Sequence, residues 1–308
     1  MKHTVLAAFA ALFLSTTAAL SQAAPFPICA GPVGGGLPAG YVIEERDMIE
    51  DGKTRWYCLV TPPGYTTTGP DYPLVVVLHG GNGNPQKMME GSKRIMKEGL
   101  DRGYVLIFPA GIGDPDRCST AFPCEHNLWN GDTNVVFLNS LIAEAAQFNL
   151  DETRIYLAGF SGGAQLIYSA IEADSFPYPI AAIATAAGGL GQLKVSNPAG
   201  GLQVINVAIG TPTDAVLFQG EVDVKLAFAG GLSDGNSEVH LPFTVKVDLF
   251  RTLTGNTQDP GTAIGAGPAT VTSYTLGSNE VVAISDPAVG HVWPGGLSAT
   301  VFDFFDTH

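Results

Sequence analysis

RIYLAGFSGGAQLIYSA, residues 154–170, runs a strand-like segment, Ile155 to Ala158, straight into Gly-Phe-Ser-Gly-Gly. A helix-like segment from Ala164 to Ala170 follows at once and extends to about Ala173. One serine, Ser161, stands between glycines at the tip of a strand-to-helix turn. Two readings are open. The serine caps the helix that follows, or it is a nucleophile lifted out of the turn. Gly159 and Gly163 carry no side chain, so such a turn can close tightly and leave the hydroxyl exposed. The N–H of Gly162, at the helix start, is then free to face a developing oxyanion. In a chain with 38 glycines the five-residue pattern alone is weak. The strand before it and the helix after it supply the weight.

Working outward, apolar runs alternate with helix-like ones. YVIEERDMIEDGKTRWYCLV reads as a hairpin turning at Asp51-Gly52. YPLVVVLHGG and GYVLIFPAG are continuous apolar strands ending in glycine or turn residues, as in a sheet buried on both faces. Gln86 to Leu100 and Val135 to Phe148 read as helices, and IAAIATAAGG and DAVLFQGEVD as further strands. Phe243 to Leu253 reads as a helix, although FTVKVDLF also alternates like a strand. EVVAISDPAVGHVWPGG is a last strand and loop, and Leu297 to Phe305 a closing helix. Strands alternating with helices imply a mostly parallel central sheet with helices on both faces, the α/β class. No repeat or linker interrupts the order, so residues 24–308 are read as one catalytic domain.

The 308 residues carry a formal net charge of −14 at pH 7. That argues against nucleic acid, which is bound by neutralising phosphates with Lys and Arg, and against docking on anionic membranes. Residues 1–23 have a basic start, an apolar run from Val5 to Leu14, and Ser21-Gln22-Ala23 in a small-x-small pattern. They read as a signal peptide, which places the mature protein outside the cytoplasm, extracellular or periplasmic. Four cysteines in an exported chain suggest two disulfides, Cys118 with Cys124 and Cys29 with Cys58. Their spacing does not suit a metal site, and neither a metal nor an organic cofactor is expected.

A serine needs a base, and the base needs an acid to hold it. On a parallel sheet these groups gather beyond the carboxyl ends of the strands. His291 lies in a Gly-rich loop right after EVVAIS and is the candidate base. His240 follows a polar, Gly- and Asp-containing segment with no strand to place it, and His308 is expected to fray at the terminus. Asp223 is the candidate acid, past the carboxyl end of its strand, with Glu221 the competitor. Asp214 falls at the wrong end of that strand, and Asp234 and Asp286 suit simple turns. Gly80 and Gly81 supply a second oxyanion donor, and His79 fixes their loop. Phe160, Trp129 and Trp293 are candidates to line a substrate groove; the two tryptophans read equally as partly buried aromatics.

LVVVLHGG, RIYLAGFSGGAQLIYSA, LFQGEVDVKLAFAGG and GHVWPGG, in this order, resemble the secreted esterases that include polyhydroxybutyrate depolymerases and feruloyl or acetylxylan esterases. Residues 290–296 match that group's Gly-His-x-Trp-Pro-Gly-Gly. The resemblance implies an α/β-hydrolase fold, carries the nucleophile to Ser161, the acid to Asp223 and the base to His291, and implies a small, oligomeric or polymeric ester substrate. Two positions depart from the group's pattern. Gln219 precedes Gly220 where a histidine is usual, and Phe160 stands where Leu or Met is usual. A peptidase on the same scaffold and a non-catalytic binding protein are the rival readings.

Overall fold

The computed structural model describes residues 29, 36–111, 129, 131–173, 176–190, 193–194, 213–232, 238–263 and 268–308. The expected signal peptide at 1–23, Cys118, Cys124 and Asp234 lie outside these residues. Strands β1 (Val42–Glu50) and β2 (Lys53–Thr61) pair antiparallel. Asp51 and Gly52 between them both take positive φ, 49° and 69°, the backbone a two-residue hairpin turn requires. Then come β3 (Tyr72–Leu78), α1 (Pro85–Met89), α2 (Ile95–Asp101), β4 (Val105–Pro109), α3 (Gly131–Ala145), β5 (Leu150–Phe160) and α4 (Gly162–Ala173). They are followed by β6 (Ala182–Ala186), β7 (Leu193–Lys194), β8 (Asp214–Gly220), β9 (Gly231–Leu232), β10 (Glu238–His240) and α5 (Phe243–Leu253). The chain closes with β11 (Thr262–Ala263), β12 (Thr270–Leu276), β13 (Asn279–Asp286) and α6 (Gly295–Phe305).

Ten strands form one sheet in the order β1-β2-β4-β3-β5-β6-β8-β13-β12-β11. The six from β4 to β13 run parallel, and antiparallel strands extend the sheet at both edges. β7, β10 and β9 make a small separate sheet. Because side chains alternate across a strand, each central strand feeds two cores. Val75, Val77, Leu106, Phe108, Tyr156 and Ala158 pack on one side against α2 and α6 through Met96, Leu100, Val301, Phe302 and Phe305. Leu74, Val76, Ile107, Ile155 and Leu157 pack on the other against α3, α4 and α5 through Leu138, Ile142, Ile167, Ile171 and Phe250. This is the α/β-hydrolase arrangement that the resemblance implies, built on the α/β layering that the alternation of elements implies. Among the described residues no helix is long and apolar enough to cross a membrane.

Three expectations need correction. The single helix over 86–100 is two, α1 and α2, separated by a turn in which Arg94 takes a left-handed φ of 58°. The break has a packing cause: a Cβ on Gly295, at the start of α6, would lie 2.5 Å from Ser92 O, so the turn abuts that helix. His240 does have a strand to place it, β10, and is buried. His308 does not fray; its ring stacks on Phe304 at 4.0 Å and its Nδ1 lies 2.9 Å from Phe304 O. The helix read over Phe243 to Leu253 is found as α5, with Phe243, Lys246, Val247 and Phe250 facing inward at helical spacing despite the strand-like alternation.

Candidate active site

Ser161 is the one residue between β5 and α4, and its φ is 52°. A side chain in the left-handed region costs about 1 kcal/mol or more, so the surroundings must hold it there. They do so by close approach. A Cβ on Gly163 would lie 2.5 Å from Leu78 O and 2.6 Å from His79 O. A Cβ on Gly159 would lie 2.8 Å from Gly163 O and Ala164 N. Only glycines let α4 fold back against the ends of β5 and β3. The turn is pinned by Ser161 N–H donating to Ala186 O at 2.9 Å and by Gln165 N–H donating to Ser161 O at 3.1 Å. The Ser161 hydroxyl meets a side chain from elsewhere in the fold: Oγ lies 2.8 Å from Nε2 of His291.

His291 and Asp223 come from loops beyond the neighbouring strands β13 and β8. A Cβ on Gly220 would lie 2.1 Å from Val289 O, so a bare glycine lets the two loops touch. Backbone bonds then join them: Glu221 N–H donates to Asp286 O at 2.9 Å and Val222 N–H to Val289 O at 3.3 Å. His291 Nδ1 lies 2.8 Å from Asp223 Oδ2. The other carboxylate oxygen, Oδ1, accepts from Lys225 N at 2.8 Å and Leu226 N at 2.9 Å. Gln219 Nε2 donates to Oδ2 as well, at 2.9 Å. Burial by itself would raise the Asp223 pKa, but it is outweighed by the bond and charge of His291 and by the Leu226 and Lys225 amides. The net shift is downward, which keeps the group ionised. An ionised carboxylate can only accept, so Nδ1 carries the imidazole proton, and Nε2 of the neutral ring offers its lone pair to the serine. Glu221, the competing acid, points elsewhere and accepts from Ser285 Oγ at 2.7 Å. Asp214 begins β8 at its opposite end and accepts from Glu280 N–H.

Gly80 and Gly81 lie against the serine turn. A Cβ on Gly80 would be 3.2 Å from Ser161 Cβ, and one on Gly162 would be 3.2 Å from Gly81 N. Gly162 opens α4, so its N–H belongs to the first turn, whose amides have no intrahelical acceptor. His79 holds the Gly80 loop. Its Nδ1 donates to Gly80 O at 2.8 Å and its Nε2 accepts from Gly111 N at 3.1 Å, a pattern that requires the neutral ring. Full burial pulls its pKa down to about 4, consistent with that tautomer. Trp129 donates from Nε1 to His79 O at 2.6 Å and approaches Gly162 with its ring edge. Phe160 stands 5.1 Å, ring to ring, from His291.

Trp293 is not at a groove wall. It is 4% exposed, packs in the core beneath α6, and donates to Ser298 Oγ, which in turn donates to Lys93 O. This chain fastens the loop that follows His291 to the turn between α1 and α2. Two residues near the site escaped the sequence reading. Gln219 stood out only as a departure from a pattern, with no sign that its amide reaches across the turn to Asp223. Lys246, 3% exposed, donates to Gly188 O at 2.9 Å. Its signal was present, since it occupies an inward position of an amphipathic helix. Among the described residues no group of three or more His, Cys, Asp or Glu side chains is arranged to hold a metal ion.

No curated protein matches the sequence at a significant level. Among solved structures, an acetyl xylan esterase from Aspergillus awamori is similar at 13% identity and a TM-score of 0.57, covering 87% of this chain and all of that one. The esterase Est22, solved with p-nitrophenol, is similar at 15% identity and a TM-score of 0.52, covering 87% of this chain and 81% of that one. At such identities the likeness is one of fold. The family model described as Esterase PHB depolymerase matches residues 55–235, more than half of the chain, from β2 through the serine turn to beyond Asp223. The protein is therefore a member of the esterase PHB depolymerase family, whose members are carboxylic ester hydrolases.

Proposed function

We propose that the chain is a secreted serine ester hydrolase, with residues 24–308 as its one catalytic domain. The observation that carries the reading is the pair of 2.8 Å contacts that His291 makes, one with Ser161 Oγ and one with Asp223 Oδ2. Ser161 attacks the ester carbonyl as its proton passes to His291 Nε2. Asp223 holds the ring and stabilises the imidazolium that forms. The N–H groups of Gly162 and of the Gly80–Gly81 loop face the oxyanion, which stabilises the tetrahedral intermediate most strongly in a site from which water is excluded. The imidazolium returns the proton to the leaving alcohol. Water then attacks the acyl-enzyme with His291 again as base, releasing the acid and restoring Ser161. Phe160 and Trp129 flank the acyl site. The leader at 1–23 and the Cys29–Cys58 disulfide support export.

The test compares wild type with Ser161→Ala on p-nitrophenyl acyl esters and on peptide anilides. Ester turnover that falls by roughly a million-fold in the variant supports the reading, following the loss seen when such a serine is removed from a relay of this kind. Anilide turnover above ester turnover would make the protein a peptidase. Failure of wild type to react with a fluorophosphonate would make it a binding protein. Within esters, hydroxybutyrate oligomers, methyl ferulate and acetylated xylan distinguish the acyl groups that the family and the fold neighbours suggest.

A further inference from the structure

We infer that Gln219 is a positioning residue for the hydrolysis, an uncharged donor that fixes which oxygen of Asp223 meets His291 and disperses part of that oxygen's charge. The inference rests on the reading of Ser161, His291 and Asp223 as a relay. Gln219 is the penultimate residue of β8 and is 3% exposed. Its Nε2 lies 2.9 Å from Asp223 Oδ2 and 3.0 Å from Leu226 O. Both neighbours are acceptors, so the NH2 group faces them and the amide has one orientation; turned over, its oxygen would confront two oxygens.

Four donors then share the carboxylate. Two backbone amides hold Oδ1, and Gln219 and His291 hold Oδ2. A carboxylate gripped at both oxygens cannot rotate, so Oδ2 faces His291 Nδ1 in a single direction. An amide achieves this without titrating. It competes with the imidazole for Oδ2 and so draws density from that oxygen, but it leaves the negative charge in place. A cation here would cancel the charge that stabilises the imidazolium; an apolar group would leave Oδ2 to the imidazole alone. The charged groups facing Asp223 are His291, bonded to it, and Lys246 of α5, which acts through its field. Glu221 and Lys225 lie on the same turn and are exposed. Gln219 itself is buried behind Asp223, away from solvent, so its loss bears on the proton-transfer step more than on substrate binding.

Gln219→Met keeps length and volume but removes the donor. Gln219→Glu keeps the shape and replaces the donor with an acid. For both, kcat and KM on p-nitrophenyl acetate are measured across the acid and alkaline limbs, with thermal melts in parallel and Ser161→Ala as control. The Met variant should lose about ten-fold in kcat, the usual scale for one hydrogen bond to a charged group, with KM within about two-fold of wild type. Its acid limb should move to higher pH, because the less dispersed Asp223 charge favours the protonated imidazole. The Glu variant should move that limb further in the same direction. A kcat equal to wild type, or a loss of kcat with the acid limb unmoved and tracking only the melting temperature, overturns the inference. If the Met variant does not fold, the position of the acid limb in the Glu variant decides alone. Retained turnover in Ser161→Ala would instead overturn the relay, whatever either Gln219 variant does.

Discussion

Ser161 occupies backbone space that side chains avoid, with φ at 52°, and Gly159 and Gly163 stand where a Cβ would collide with backbone. The strain is local and removable. Ser161→Gly should unfold at a higher urea concentration than Ser161→Ala, by about 1 kcal/mol, because glycine takes positive φ freely and alanine does not. Both variants should be inactive, so the comparison isolates the backbone from the chemistry; equal midpoints would mean that the turn carries no strain. This part of the site was legible in the sequence because it is a backbone requirement that only glycines at fixed offsets satisfy. Asp223 and Glu221 both lie past the strand end in the sequence, and what separates them is a contact that spacing does not encode: Asp223 meets His291, while Glu221 meets Ser285. The donor role of Gln219 was not legible. It depends on a side chain folding back across a turn, and nothing in the spacing of Gln219, Gly220 and Asp223 distinguishes that from an amide facing solvent.

At the scale of an element, α5 carries the oddest residue of the fold. Phe243, Lys246, Val247 and Phe250 form its inward face, and one of the four is a lysine. Lys246 Nζ bonds Gly188 O and stands 5.1 Å from the Phe243 ring and 5.9 Å from that of Tyr168. Burial lowers its pKa from 10.5 to about 7, with the field of Asp223 acting weakly the other way. Unfolded, the amine returns to its ordinary value. Between about pH 7 and pH 10.5 the unfolded chain therefore holds a proton that the folded chain does not, and stability rises with pH across that window. Below it both states are protonated and the penalty is fully present. Lys246→Met should remove this rise, worth on the order of a few kcal/mol, at a cost of about 1 kcal/mol for the unpaired Gly188 carbonyl. Urea midpoints of both proteins through the window check it, and parallel curves would sink it. The split of the segment 86–100 was illegible for the opposite reason. Its periodicity is helical throughout, and what breaks it is the distant start of α6 pressing on Ser92.

Across the whole molecule, the alternation of apolar runs and helices was enough to read the parallel core, and the rule that ligands gather beyond the strand ends led to Ser161, Asp223 and His291 being expected at one edge. The edge strand β11 and the small β7-β10-β9 sheet were not readable, since strands of two or three residues leave no pattern. The disulfide is also a long-range feature. Cys29 precedes the sheet and Cys58 lies within β2, which is three strands from β5 in the sheet order. The cross-link joins positions 29 residues apart, a loop for which chain entropy gives about 3–4 kcal/mol of stabilisation. It should therefore hold the fold without touching the chemistry. Cys29→Ala leaves the fully buried Cys58 sulfur in its packing and removes only the link. Its urea midpoint should fall by an amount equivalent to about 3 kcal/mol, while kcat on a p-nitrophenyl ester, measured well below the melting temperature, should stay within about two-fold of wild type. A stable variant with impaired kcat would show instead that the amino-terminal segment is coupled to the serine across three strands of the sheet.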